Sequence, residues 1–251
     1  MRLTLALVPT PSRKLSPTGR PFLVAVALCM AMTAVSIDML LPAFPELRVH
    51  VGMTEGSTEI AQVITFYFIG LASGQLVFGT LSDRYGRLPL LRIGLAVMVL
   101  GAVATALMGS LTGLIIGRFV WGFGGAAPRA ISMAMVRDRM HGDQMAKTMS
   151  MLMSIFLLVP VIAPGLGALA LELGNWQLLV GIQALFIFIV LIWTFWMPET
   201  LDPANRRSTS LPSILRAGRF VVTNRVAMSF GLASTVLFGS IATYIGTAEV
   251  I

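Results

Sequence analysis

Seven long apolar stretches, separated by short loops that carry most of the arginines, constrain this chain more than any other feature. A membrane span needs roughly 20 predominantly apolar residues. Windows of that size fall at residues 22–44, 60–81, 90–108, 111–136, 149–171, 176–197 and 226–251. Hydrophobic residues make up 56% of the chain and charged residues only 12%, so there are too few charges to solvate a globular surface of this length. The sequence therefore predicts an all-α polytopic membrane protein.

The net charge of +7 raises the question of a polyanionic partner, and the placement of the charges answers it. If the N-terminus lies on the cytoplasmic side, fifteen of the 18 Lys and Arg residues fall in segments on that side, at 2–20, 84–92, 137–147 and 206–225. Arg48 is alone on the opposite side, and Arg118 and Arg129 fall within the fourth span. This is the asymmetry of the positive-inside rule. It makes the basic balance a topology signal, with no nucleic-acid partner implied.

The single cysteine, Cys29, lies in the first span and allows no intrachain disulfide. The first apolar stretch exceeds a signal-peptide h-region and reads as a retained helix. Residues 1–21 read as a cytosolic tail, 22–198 as a six-helix transmembrane bundle, 199–225 as a cytosolic linker, and 226–251 as a seventh transmembrane helix. The apolar run continues to Ile251 without a polar cap, so the chain reads as an incomplete second half following a complete first one.

Several residues stand out against this background. The loop after the second span reads Gly79-Thr80-Leu81-Ser82-Asp83-Arg84-Tyr85-Gly86-Arg87. Its glycines permit close helix approach and a sharp turn, and Asp83 can accept hydrogen bonds or pair with an arginine. A clasp between neighbouring bundles and simple obedience to positive-inside are both open readings of Arg84 and Arg87. Asp38, inside the first span, is costly to bury charged and suited to carrying protons; alternatively it caps a break made by Pro42 and Pro45. Arg118 is either the cationic partner of Asp38 or a side chain snorkelling to the interface. Arg129 is a further cavity candidate. The fifth span carries Pro160, Ala163, Pro164, Gly165 and Gly167, residues that bend membrane helices or let neighbours approach.

Trp121, Trp176, Trp193 and Trp196 read as interface anchors. His50 and His141 fall in loops on opposite sides, leaving no histidine metal site. No phosphate loop, nucleophile constellation or cofactor motif appears, and nothing points to an enzyme.

The string from Gly79 to Arg87 resembles the signature loop of the major facilitator superfamily, G-x-L-x-D-x-x-G-R, with Gly79, Leu81, Asp83, Gly86 and Arg87 at its fixed positions. Arg118 with Gly122 resembles that superfamily's helix-four motif, associated with proton coupling. Ala163-Pro164-x-x-Gly167 resembles its antiporter motif, departing from it at Ala163 and Ala168. Ile37-Asp38-Met39-x-Leu41-Pro42-Ala43, Gly74-Gln75-Leu76-x-x-Gly79 and Pro198-Glu199-Thr200-Leu201 are similar to the Bcr/CflA group of drug-resistance transporters.

The resemblance implies the N-terminal bundle of the major facilitator fold in a bacterial inner membrane. It also implies proton-coupled export of small hydrophobic or cationic molecules by alternating access, in which the loop serves as gate. Its partners would be the bilayer, protons, a small-molecule substrate, and a missing C-terminal half or second copy. A metabolite transporter, and a non-transporting remnant or half-unit, are the alternative readings.

Overall fold

The computed structural model describes residues 19–54, 56–206, 219 and 223–247, and its regular elements there are all helical. In chain order they are α1 (Arg20–Asp38), α2 (Phe44–His50), α3 (Gln62–Tyr85), α4 (Arg87–Leu107), α5 (Leu111–Arg139), α6 (Gly142–Leu173), α7 (Trp176–Trp193) and α8 (Arg225–Thr247), with short 3-10 turns at Leu41–Ala43, Thr58–Ala61, Thr194–Trp196 and Pro203–Asn205. Most of the expected tail and linker, and the end of the seventh span, lie outside the described residues.

The first span is a broken helix rather than one rod. Pro42 and Pro45 have no N–H to donate, and the backbone tightens as it reaches them: Leu40 N bonds Ile37 O at 3.3 Å and Ala43 N bonds Leu40 O at 3.0 Å. α1 therefore stops at Asp38, and the chain turns before re-entering helix at Phe44.

Among the described residues, five segments are long and apolar enough to cross a membrane: Arg20–His50, Thr58–Tyr85, Arg87–Leu107, Gly142–Leu173 and Trp176–Trp196. α5, the expected fourth span, is absent from that set because it carries Arg118, Arg129 and several glycines. Its position explains how it tolerates them: α5 packs against α3 on one side, α4 on another and α1 on a third. Its polar groups meet protein instead of lipid. The α3–α5 contact is close enough that a Cβ on Gly122 would overlap the Tyr67 carbonyl, and one on Gly70 the Phe119 carbonyl. Small residues at such crossings let two membrane helices approach backbone to backbone.

α4 packs on α7, and α1 on α6. The first apolar segment is mostly buried, whereas α6 is mostly exposed. α1 and α5 thus form the core, while α6 presents a broad apolar face outward. Two of the expected interface tryptophans belong to this core: Trp121 is fully buried on α5, and Trp176 packs edge-on against His50 at 5.0 Å. Trp196, after α7, is half exposed. α2 places the Glu46 carboxylate 2.9 Å from Trp176 N, at the start of α7.

Candidate functional site

The motif residues lie in two regions, one at the end of the bundle that carries the Gly79–Arg87 loop and one inside it. At the loop end, α3 stops at Tyr85 and α4 starts at Arg87, with only Gly86 between them. Gly86 has φ +107 and ψ 159, a conformation that L side chains rarely adopt. The space a side chain would need there is occupied by Glu199, whose Oε2 would lie 2.7 Å from an added Cβ.

Glu199 closes the turn. Its Oε1 accepts from Arg87 N at 3.0 Å and its Oε2 from Leu88 N at 3.1 Å, so a carboxylate from beyond α7 caps the amino end of α4. The same Oε1 accepts from Thr200 N at 2.9 Å and Leu201 N at 3.0 Å, which folds the following segment back on itself. Free amides and the helix dipole at an N-terminus favour an anion in this place.

Arg87, only 7% exposed, ties the helix ends together. Its Nε donates to Asp138 Oδ2 at 2.9 Å and Nη2 to Asp138 Oδ1 at 3.3 Å, a two-pronged pair with the end of α5. Its Nη1 donates to Ser82 Oγ at 2.9 Å and to Asp83. Thr200 Oγ1 donates to Asp138 at 3.3 Å, and Arg139 Nη2 to the Glu199 carbonyl at 2.9 Å. A cavity of about 700 Å³ opens beside this network, between Asp83, Arg87, Asp138, Arg139 and Asp202.

The expectation was a clasp between neighbouring bundles, whereas the partners described for Asp83 and Arg87 belong to this same bundle. Arg84 is exposed, with its guanidinium over the Tyr85 ring at 5.1 Å, and Leu81 packs against the core. Gly79 has open space where a Cβ would be, so it makes no close helix approach among the described residues.

The second region surrounds the broken end of α1. Asp38 is its last residue and is 4% exposed. Arg118 on α5 is fully buried, which excludes snorkelling, yet it does not pair with Asp38. Its Nη1 donates to the Ser36 carbonyl at 2.9 Å, and its guanidinium lies between the rings of Tyr67 (4.7 Å) and Trp121 (4.9 Å). The physical reason is the helix break. In a continuous helix Leu40 N would take the Ser36 carbonyl, but here it takes Ile37 O, and the freed carbonyl receives the arginine.

Other side chains complete the cluster. Tyr67 Oη donates to Thr33 O at 3.3 Å, Thr33 Oγ1 to Gly125 O at 3.2 Å, and Gln183 Nε2 to Val35 O at 3.1 Å. Arg129 makes no ion pair with Asp38, and its guanidinium lies 5.1 Å from the Phe156 ring on α6. α6 runs unbroken through Pro160 and Pro164. Ala163 and Gly167 are buried, and a Cβ on Gly167 would overlap the Met39 carbonyl just past the end of α1. The antiporter-like residues thus abut the break that holds Asp38, whereas Pro160 is exposed.

Sequence reasoning missed Glu199 and Asp138 as partners of the loop, and Tyr67 and Gln183 as partners of the α1 end. For the last two a signal existed, since each is a polar side chain within an apolar run. Their partners lie 34 and 148 residues away, and no local spacing reveals them.

The sequence profile of the Major Facilitator Superfamily matches residues 26–251. Among curated proteins, a bicyclomycin resistance protein homolog of Haemophilus influenzae is 26% identical over 231 residues, covering 92% of this chain and 58% of the relative. The multidrug resistance protein MdtL of Klebsiella pneumoniae is 29% identical over 216 residues, covering 86% and 54%. The chain therefore spans little more than half the length of these relatives. Among solved structures, the human organic anion transporter MFSD10 aligns with a TM-score of 0.62 at 19% identity, covering 80% of this chain and 53% of its own. A D-xylose-proton symporter aligns with a TM-score of 0.65 at 14% identity, covering 86% and 55%. These two show the fold.

Proposed function

This chain belongs to the Major Facilitator Superfamily and is a multi-pass membrane protein of its Bcr/CflA drug-resistance type, and from that premise we propose that it serves proton-coupled export of small hydrophobic or cationic drugs. It would act as the N-terminal bundle of a transporter in the bacterial inner membrane, with its N-terminus in the cytoplasm. The substrate cavity lies on the side of α1, α3, α5 and α6 that a second bundle would close. Asp38 takes up and releases the proton as the cavity changes sides, Arg118 and the α6 stripe hold the helix end that bears it, and the Asp83–Arg87–Asp138 network stabilises one access state.

The observation that carries this reading is the setting of Asp38. It is the one carboxylate buried to this degree among the described residues, and it sits at a helix end whose carbonyls are held by other helices. A buried carboxyl within a membrane is expensive, and a proton-carrying role accounts for that cost.

The test is efflux in a bacterial strain lacking its major exporters, using a panel of cationic dyes and amphenicol-type drugs. The gene is expressed as this chain alone and as this chain joined to a complementary second bundle. The joined form is expected to lower dye accumulation in a manner abolished by a protonophore. Accumulation equal to the empty vector, or lowering that survives the protonophore, would contradict the reading.

A further inference from the structure

Gln183 is the single carboxamide among the buried side chains of α7, and it is 2% exposed in a helix that is otherwise apolar over most of its length. Its amide group donates to the Val35 carbonyl, while its Oε1 has no partner among the described residues. The orientation is fixed by its neighbour, because an amide oxygen facing a carbonyl oxygen would be repelled. Burying an amide with half its capacity unused costs free energy that an apolar side chain of the same length would not. Packing alone is therefore a poor explanation for this residue.

The Val35 carbonyl already accepts Met39 N at 3.1 Å, the last regular bond of α1. Gln183 adds a second donor to it from α7, and Arg118 supplies a donor to the next carbonyl, Ser36, from α5. Two helices thus hold consecutive carbonyls of the final turn, three and two residues before the acid. We propose that Gln183 is a positioning residue for Asp38: together with Arg118 it fixes where α1 ends and offsets the partial negative charge of that helix end. This rests on the reading of Asp38 as the proton-carrying group.

The electrostatic consequence has a definite sign. Terminal carbonyls place partial negative charge near Asp38, and donors bound to them reduce it. Removing the Gln183 amide leaves more of that potential uncompensated, so the carboxyl holds its proton to higher pH. The charged and titratable groups packed around this end are Tyr67 on α3 and Arg118 and Arg129 on α5. α6 brings the Ala163–Gly167 stripe there and α7 brings Gln183, none of them titratable. All of the titratable groups remain when Gln183 is changed to an apolar residue.

The experiment measures labelling of Asp38 by a hydrophobic carbodiimide, which reacts with protonated carboxyls, as a function of pH. It uses the 251-residue chain in lipid nanodiscs, with the label located by mass spectrometry. Gln183→Met keeps length and apolar volume but has no donor, and its labelling midpoint is expected about half a pH unit or more above wild type. Gln183→Glu can donate only while protonated and adds a negative charge above that point. Its profile is expected to broaden and move further upward as two carboxyls titrate together.

A Gln183→Met profile that superimposes on wild type overturns the proposal. If that variant fails to fold, a Gln183→Glu profile equal to wild type overturns it instead. The readout needs no substrate, so it separates the two readings. A shifted midpoint in a protein whose joined form exports nothing would sink the export reading and leave the positioning role standing.

Discussion

Arg118 shows how a buried cation can be held without a carboxylate. One backbone carbonyl and two aromatic faces surround it, and its Nε and Nη2 have no partner among the described residues. A planar guanidinium suits such a site because it stacks and donates along one edge at the same time. Lysine keeps the charge but loses both geometries. Arg118→Lys is expected to cost about 2 kcal/mol of stability, read as a lowered thermal unfolding midpoint in detergent, and to abolish proton-driven efflux in the joined form. Unchanged stability would mean that charge alone matters here. The presence of an arginine in the fourth span was legible in the sequence, but its partner was not. The expected pairing with Asp38 followed from charge, whereas the observed bond to Ser36 follows from the carbonyl that the proline-driven break sets free.

Among the elements, the start of α4 depends on a residue more than 100 positions away. Gly86 offers no side-chain cap, and Glu199 supplies it. Glu199→Ala is expected to cost about 1–2 kcal/mol and to speed amide hydrogen exchange at Arg87 and Leu88 selectively. Glu199→Gln keeps one accepting oxygen but loses the charge and puts an NH2, which cannot accept, where the other oxygen met a backbone N–H, so its cost should be close to that of alanine, about 1–2 kcal/mol. Equal exchange in all three proteins would remove the cap from the description. At the same junction, Asp138→Ala leaves Arg87 with the more exposed Asp83 as its acidic partner, and a loss of about 3 kcal/mol is expected for breaking a largely buried pair. A urea or thermal melt of the variant checks it. The loop motif was readable as a string, and the sharp turn at Gly86 was readable from its glycine. Glu199 was visible only as one letter of a resemblance and its role was not, because the contact joins the segment after α7 to the start of α4, more than 100 residues away.

For the whole molecule, apolar periodicity gave the helices and their order, and the arginine placement gave a sidedness consistent with them. What it could not give was depth within the bundle. α5 alone among the first six spans is not apolar enough to count as a crossing segment, and yet it packs against three neighbours, α1, α3 and α4. α6 is strongly apolar and yet mostly uncovered. Average hydropathy reports contact with any apolar surroundings and does not distinguish lipid from protein. The buried stripe of Ala163 and Gly167 tests the arrangement: Gly167→Leu would drive a side chain into the Met39 backbone. Overpacking of this kind costs about 1–3 kcal/mol, and it should separate α6 from the end of α1, measurable as a lengthened spin-label distance between the two helices.

The proton-carrying role of Asp38 is tested most directly by substrate-induced proton release, measured with a pH indicator in weakly buffered detergent solution of the joined, two-bundle form. Wild type is expected to release protons on addition of a transported cation, and Asp38→Asn to release none while still binding the substrate. Release from Asp38→Asn equal to wild type would place the proton on another group and contradict the central assignment.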